Sequence, residues 1–259
     1  MNIVVCVKQV PDSAAVVSVR DGKVTWGDAA IILNPWDEYA VEVALQLTEI
    51  HGGEVKAFSL AGENEKEALK IALAMGAKSA VRIDDTTLQN LDASGTAQIL
   101  AAAIRKIPAL DLVTFGMQAI DSNAGVTATQ TARLLGWPAL TLVSKIVSCD
   151  PSARKIVVER ATEEGKQIVE AQLPAVLNFV KEIAEPRYPS FMGIRKATKA
   201  EITTWNLADL GIPAPPVYVN WQETLNLPKQ EIVTEMISGS TPQEIAENLV
   251  ERLVAEKVI

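Results

Sequence analysis

Residues 116–127 combine the side chains of an anion-binding turn with the start of a helix. The segment reads GMQAIDSNAGVT, and its small and hydroxyl residues directly precede a helical pattern over 125–135. The first N–H groups of a helix lack acceptors within it and lie at the positive end of its dipole, so phosphate binds there readily. An adenine nucleotide is a natural occupant, although the same residues could serve only to cap the helix. The spacing alone favours neither interpretation.

The elements that must position this segment alternate between apolar runs and helical patterns. Strands are predicted over residues 3–7, 55–60, 80–83 and 110–115. Helices are predicted to open at Asn34–Pro35, to follow Gly62, and to cover 93–107 and 125–135. This alternation predicts βαβ units, and therefore a doubly wound parallel α/β sheet, which would be of the adenine-nucleotide-binding type if residues 116–127 bind a nucleotide phosphate.

Ligands of such sheets bind at the carboxyl ends of the strands, where the winding reverses. Three segments end predicted strands in this way, at residues 6–8, 59–62 and 116–121. We therefore expect the ligand site to be built from these three segments.

The chain changes character after residue 140. Strand-like runs over 140–147, 155–160, 167–171 and 176–180 have no helix between them, which predicts an antiparallel addition to the sheet. After Asn206 the periodicity fades into a proline-rich arm, and Thr241-Pro242 with Glu244 predicts a capped amphipathic helix at its end. We expect an α/β domain over residues 1–205, and an arm and helix over 206–259 that pack on a partner subunit.

Residues 173–197 begin as a core element and end as a surface segment. A predicted buried strand is followed by Pro186 and Pro189, which should break regular structure, and then by apolar Phe191 and Met192. Between Pro186 and Ala200 the chain has four cations and no acid. An apolar tip with a cationic base predicts a loop that docks on another protein.

Composition excludes several classes of function. The 259 residues have a net charge of −8, which argues against binding to nucleic acid. The sequence has no apolar run of the ~18 to 20 residues that span a membrane. The single histidine, His51, excludes Ser-His-Asp and multi-histidine metal sites, and Cys6 in an apolar run is predicted to be a buried, unreactive thiol. The sequence contains neither GxxxxGK[ST] nor GxGxxG, so ATP hydrolysis and a standard dinucleotide fingerprint are unsupported.

Several motifs resemble the beta subunit of electron transfer flavoproteins, over nearly the whole chain. They are VVCVKQVPD at 4–12, NPWDEYAVEVAL at 34–45, ALAMGA at 72–77, GMQAID at 116–121, LPAVL at 173–177 and EPRYPSFMGIRKA at 185–197. The resemblance implies a heterodimer, in which a homologous alpha subunit holds most of a redox-active FAD and beta binds a structural AMP.

The resemblance also assigns roles to individual residues. The implied nucleotide contacts are Cys6, Asn34, Pro35, Trp36, Asp37, Leu60, Gly116, Met117, Gln118, Ala119, Ile120, Asp121, Ser122, Asn123, Ala124, Gly125, Val126 and Thr127. Thr127 is the preferred phosphate contact. The implied recognition loop for dehydrogenase partners consists of Arg187, Tyr188, Pro189, Ser190, Phe191, Met192, Gly193, Ile194, Arg195 and Lys196, with Phe191 where the family usually has leucine.

The function implied is that of an electron carrier without catalytic residues or a metal of its own. It would accept electrons from flavin dehydrogenases, such as the acyl-CoA dehydrogenases of fatty acid oxidation, and pass them to a membrane quinone oxidoreductase. Its expected location is cytoplasmic, or the mitochondrial matrix for a processed eukaryotic form. Two alternatives stay open: an electron-bifurcating flavoprotein with a second FAD in place of AMP, and an adenine-nucleotide-sensing α/β domain.

Overall fold

One large sheet organises the chain in the computed structural model, which describes residues 1–62, 65–88, 91–219, 223–226, 228 and 234–259. Within these residues nine strands pair in the order β11-β10-β9-β12-β8-β1-β6-β7-β13. These strands are β1 (Asn2–Cys6), β6 (Glu54–Leu60), β7 (Ser79–Ile83), β8 (Leu112–Gly116), β9 (Ala139–Asp150), β10 (Lys155–Thr162), β11 (Gly165–Gln172), β12 (Ala175–Phe179) and β13 (Thr203–Trp205). Two small antiparallel pairs join β2 (Gln9–Pro11) to β5 (Ile31–Leu33) and β3 (Ser18–Arg20) to β4 (Lys23–Thr25).

Helices cover both faces of this sheet. Those of residues 1–223 are α1 (Pro35–His51), α2 (Glu67–Met75), α3 (Ala93–Arg105), α4 (Thr127–Leu135), α5 (Phe191–Lys199) and α6 (Leu207–Leu210), with a 3-10 turn at Lys181–Ile183. A further helix, α7 (Pro242–Ala255), belongs to a separate C-terminal unit. Alternate residues of β1 enter two separate cores: Val5 packs with α1 and α2, and Val4 packs with α3 and α4. Burial on both faces explains why β1 is a continuous apolar run, and it confirms the doubly wound α/β prediction.

The winding reverses at the centre of the sheet. From β1 the chain builds outward through β6 and β7, and then crosses to the other side of β1 to form β8. The carboxyl ends of β1 and β8 therefore lie side by side at the switch point, which is where α/β sheets bind ligands.

The prediction of an antiparallel addition is correct for β9, β10 and β11 but wrong for residues 176–180. Strand β12 lies between β8 and β9 and is parallel to both. All five of its residues are buried, as in a strand covered on both faces. The hairpin β10–β11 returns the chain to the amino end of β8, where Ala175 N donates to Asp111 O, so no helix is needed to make the parallel connection.

The recognition segment, residues 187–196, is only partly a loop. Ser190 caps a helix that begins at Phe191, and its hydroxyl accepts from Gly193 N at 3.0 Å. The expectation that prolines break regular structure therefore holds only as far as Ser190, because a serine N-cap is sufficient to start α5 directly after Pro189.

The described chain separates into two compact units, Met1–Glu223 and Thr224–Ile259. The first unit extends beyond the boundary expected at residue 205, because Leu207 of α6 is buried in the same core as α3 and Pro215 lies beside Gly95 of that helix. In the second unit, Thr241 caps α7 by accepting from Glu244 N at 3.2 Å, as predicted. Among the described residues, none of the helices has the length and apolar character required to cross a bilayer.

Candidate functional site

A cavity of about 780 Å³ opens at the carboxyl edge of the sheet. Its floor is formed by the ends of β8, β1, β6 and β7, and its sides by the first residues of α3 and α4. This volume falls within the roughly 300–1,000 Å³ of small-molecule and cofactor sites. The cavity therefore occupies the place where the fold is expected to bind a ligand.

Asp37 joins the two central strand ends beneath this cavity. Its carboxylate accepts from Lys8 N at 2.7 Å and from Gly116 N at 3.2 Å. Gly116 must be glycine here, because a Cβ would collide with Asp37 Oδ1 and with the backbone of Trp36. Burial raises the pKa of Asp37 to about 7, although the hydrogen bonds from the two backbone N–H groups act to lower it.

Asn34 shapes the turn that follows β8. It precedes α1 as predicted, but its side chain does not cap the helix. Instead, Nδ2 donates to Gln118 O at 2.9 Å, and Oδ1 accepts from Ile120 N at 3.2 Å. Asn34 thus holds the backbone of residues 118–120 against the start of α1.

The rest of the turn leads into α4 through two left-handed residues. Asn123 has φ 49° and Gly125 has φ 63°, and Gln118 Nε2 donates to Asn123 Oδ1 at 3.1 Å. Helix α4 then begins at Thr127 without a capping side chain. Thr127 and Ala128 both line the cavity, so the uncapped start of a helix faces it. This arrangement can bind an anion through backbone N–H groups.

The cavity wall has an acidic balance. Lys8 is the one basic residue among the described lining residues, and its Nζ lies 2.7 Å from Asp121, which is outside the wall. The acidic lining residues are Asp37, Glu65, Asp84, Asp85 and Asp92. Positive potential for an anion is therefore confined to the α4 terminus and Lys8.

Twelve of the residues predicted to contact a nucleotide line the cavity: Cys6, Asn34, Asp37, Leu60, Gly116, Met117, Gln118, Ala119, Ser122, Ala124, Gly125 and Thr127. The other six, Pro35, Trp36, Ile120, Asp121, Asn123 and Val126, lie in the adjoining turn and helix starts but are not on the wall. Cys6 is buried as predicted, and burial, with a smaller effect of the Asp37 charge, raises the pKa of its thiol well above the usual value.

The residues on one side of the cavity were not predicted from the sequence. This side begins with Ile83 at the end of β7 and the two acids that follow it, Asp84 and Asp85. It continues with Leu88, Leu91, then Asp92 and Thr96 at the start of α3, and Val219 of the arm. Strand β7 was predicted, so the strand-end rule applied to it as well would have located Ile83, Asp84 and Asp85. No cluster of three or more potential metal ligands occurs within the described ranges.

The recognition segment lies at a separate surface and exposes apolar side chains. Tyr188 is 95% exposed, Phe191 80%, Met192 56% and Ile194 51%. These values fit the predicted apolar tip, because side chains this exposed contribute little to a core.

Arg187 anchors this segment and is not a free cation. Its Nε lies 2.7 Å from Glu42 and its Nη1 2.6 Å from Glu49, and Arg187 N also donates to Glu42 at 3.1 Å. A second anchor is Gly193, where a Cβ would collide with the carbonyl oxygen of Ala74 on α2. The segment is therefore fixed to both α1 and α2.

Comparison with known proteins identifies the family. Residues 27–210 match the model of the electron transfer flavoprotein domain. The chain belongs to the electron transfer flavoprotein family. An electron transfer flavoprotein subunit beta of Thermoanaerobacterium thermosaccharolyticum is 35% identical to it, with 100% of both chains covered. The present chain is therefore of the beta-subunit type.

Other relatives of this electron transfer flavoprotein chain carry different names. The caffeyl-CoA reductase-Etf complex subunit CarD of Acetobacterium woodii is 36% identical, again with 100% of both chains covered. The protein FixA of Azorhizobium caulinodans is 36% identical over 82% of this chain and 77% of FixA. The family model and the beta-subunit relative support a beta-type electron transfer subunit, and this type implies an alpha-subunit partner.

Proposed function

We propose that this beta-type subunit binds one AMP in the cavity and presents residues 187–196 to flavin dehydrogenases, with an alpha subunit holding most of the FAD. The complex accepts electrons from dehydrogenases such as those acting on acyl-CoA and delivers them to a membrane quinone oxidoreductase. The observation that carries the nucleotide assignment is the uncapped start of α4 on the cavity wall.

A single phosphate fits the donors that the wall offers. The backbone N–H groups at Thr127 and Ala128 lie at the positive end of α4, and the hydroxyl of Thr127 is a further donor. Lys8, although paired with Asp121, adds the one positive charge of the described wall. These groups favour one compact anion at this end of the cavity.

The far end of the cavity favours a nucleoside over a second charged group. Asp84, Asp85 and Asp92 line it; Asp84 is paired with Arg82 at 2.9 Å, but a diphosphate placed beside Asp85 and Asp92 would meet like charges. Ribose hydroxyls and an adenine amino group are donors, and the carboxylates of Asp84 and Asp85 are suitable acceptors for them. Both oxygens of Asp92 already accept from backbone N–H groups, those of Gly95, Tyr218 and Val219. The charge distribution therefore favours AMP over FAD in this chain.

The roles of the chain's own residues follow from this assignment. The FAD supplies the redox chemistry, since it accepts and releases electrons. Asp37 and Asn34 hold the strand ends and the turn in shape, and the exposed apolar side chains of α5 provide a small contact with the donor. Small interfaces suit redox partners, because the carrier must separate from its donor after each exchange.

Nucleotide analysis of the purified complex tests this proposal. The complex of this chain with its alpha subunit is denatured, and the released nucleotides are separated and counted per heterodimer. One FAD and one AMP support the proposal. ATP alone would contradict it and favour a nucleotide-sensing domain.

A bifurcating flavoprotein is the second candidate, favoured by one observation. The cavity extends from the α4 start to the end of β7, and its volume of about 780 Å³ lies in the upper part of the range for cofactor sites, which leaves room for a larger cofactor than AMP. Two FAD per heterodimer and no AMP would establish this candidate, and the acidic end of the cavity would then have to accept the longer cofactor.

A further inference from the structure

The arm that follows α6 contributes to the cavity from a distant part of the sequence. Every other described lining residue lies between Cys6 and Ala128, whereas Val219 reaches the wall from the far side of α3. We call residues 212–219 of the arm the strap; it reaches the edge of the cavity at Val219.

The first part of the strap packs along α3. A small hollow between them is lined by Ile212 and Pro216 on one side and by Gln98 and Arg105 on the other. Pro215 is buried, and a Cβ placed on Gly95 of α3 would lie 3.5 Å from its ring. Van der Waals contact therefore fixes the strap as far as Pro216.

The last part of the strap is held by a single carboxylate. Asp92 Oδ2 accepts from Tyr218 N at 2.8 Å and from Val219 N at 3.2 Å. Its other oxygen, Oδ1, caps α3 by accepting from Gly95 N at 2.8 Å. Because the side chains of Tyr218 and Val219 are 71% and 58% exposed, burial contributes little to holding them.

We propose that Asp92 is a positioning residue that holds the strap as a wall of the nucleotide cavity and thereby slows the release of the bound nucleotide. This inference rests on the proposed nucleotide site. Val219 leaves the wall only when both N–H bonds to Asp92 Oδ2 break, so this one oxygen controls how often that side opens. The hydrogen bonds from Gly95 and Tyr218 also lower the pKa of Asp92, which keeps it ionised at neutral pH.

The substitution Asp92→Asn separates the two roles of this carboxylate. Asparagine is as good an N-cap as aspartate, so its Oδ1 can still accept from Gly95 N. Its Nδ2 is a donor and faces two further donors, Tyr218 N and Val219 N, so the strap is released. Asp150→Asn is the matched control, because Asp150 also accepts two backbone N–H groups, those of Ser152 and Ala153, away from the cavity.

The experiment measures release of radiolabelled AMP from the purified complex after a chase with excess unlabelled AMP. We expect release from D92N to be on the order of tenfold faster than from the wild type, with D150N unchanged. Thermal unfolding of D92N should stay close to that of the wild type, because the helix cap is retained. Hydrogen–deuterium exchange at Tyr218 and Val219 should become faster in D92N.

Three outcomes would overturn the inference. Unchanged amide exchange in D92N would show that Asp92 does not hold the strap. Faster exchange with wild-type AMP release would show that the strap is not a wall of the site. A wild-type complex that retains no AMP would contradict the proposed nucleotide itself, and this result is distinct from the other two.

Discussion

The ion pair between Arg187 and α1 should determine whether the recognition segment keeps its position. The substitution Arg187→Met preserves most of the stem and removes the guanidinium. It leaves Glu42, which is only 4% exposed, with Gln46 as its one remaining side-chain donor. A buried carboxylate would then be ionised without a counter-charge, which is costly.

The size of the effect follows from the burial of the two partners. Removing one partner of a fully buried pair costs about 3–5 kcal/mol. The Arg187 side chain is 34% exposed, so solvent screening reduces the expected loss to about 2–3 kcal/mol of unfolding free energy. For a chain of this size, that corresponds to a fall in Tm of roughly 4–12 °C. Glu49→Gln should cost less than about 1 kcal/mol, because the Glu49 side chain is 57% exposed.

The pKa of Glu42 gives this prediction a second readout. Burial alone would raise that pKa, but the hydrogen bonds from Arg187 and Gln46 outweigh burial and hold it below the usual value. Without Arg187 the pKa of Glu42 rises above its unfolded value. The mutant then regains stability when Glu42 is protonated, so its deficit should shrink as the pH falls toward 4.

Calorimetry of the purified complex at pH 7 and pH 4.5 measures both effects. The double variant R187M/E42Q is the control, since it removes the stranded charge and should recover on the order of 1 kcal/mol. Equal losses for R187M and E49Q, or no recovery in the double variant, would refute the reasoning. In an assay coupled to a dehydrogenase, R187M should mainly raise the KM for the dehydrogenase, because the docking side chains are intact but less firmly placed.

Three further predictions concern other contacts of the two sites. Burial raises the pKa of Asp37 to about 7 in the folded state, so its contribution to stability is present below pH ~4 and is lost as the pH rises toward 7. The stability of Asp37→Asn, measured by denaturant unfolding, should therefore not show this decline toward pH 7. If the variant kept the wild-type pH profile of stability, Asp37 would not be its cause. Gly193→Ala should destabilise the protein by about 1–3 kcal/mol in thermal unfolding, because its Cβ meets the Ala74 carbonyl, and an unchanged Tm would show that α5 is not held there. Phe191→Ala should slow dehydrogenase-coupled turnover several-fold while leaving the heterodimer and its nucleotide unchanged. The control Ile168→Ala, at another exposed apolar residue, should leave turnover unchanged. Equal turnover of both variants would remove Phe191 from the docking role.

Sequence patterns predicted the site best where strand ends and helix starts coincide. The turn 116–127 could be located because a buried strand, small residues and a helical pattern follow one another without interruption. Lys8 lies on the wall as the strand-end rule predicted for residues 6–8, although the family resemblance assigned only Cys6 of that segment to the nucleotide. Val219 could not be predicted at all, since it reaches the cavity through tertiary packing of an arm without periodicity.

The errors in the fold have the same origin. The absence of a helix before residue 176 favoured an antiparallel strand, but pairing is decided by where the chain re-enters the sheet, and the β10–β11 hairpin brings it to the amino end of β8. Local signals predicted eight of the nine strands of the large sheet, all except β13, and none of the short strands β2 to β5. Their order and direction depend on contacts between residues far apart in the sequence, which periodicity does not report.

Helix α1 connects the two surfaces of the molecule through two buried acids. Asp37 ties its first turn to the ends of β1 and β8, and Glu42, further along the same helix, holds Arg187 at the start of the recognition segment. Both acids belong to the motif NPWDEYAVE, from which a helix start and a nucleotide contact by Asp37 were predicted, but no role for Glu42. A helix that only packed on the sheet would not need charged residues on its buried face, because burying them unpaired is costly. Their partners explain their presence: one acid builds the cavity, and the other places the segment that we propose meets the electron donor.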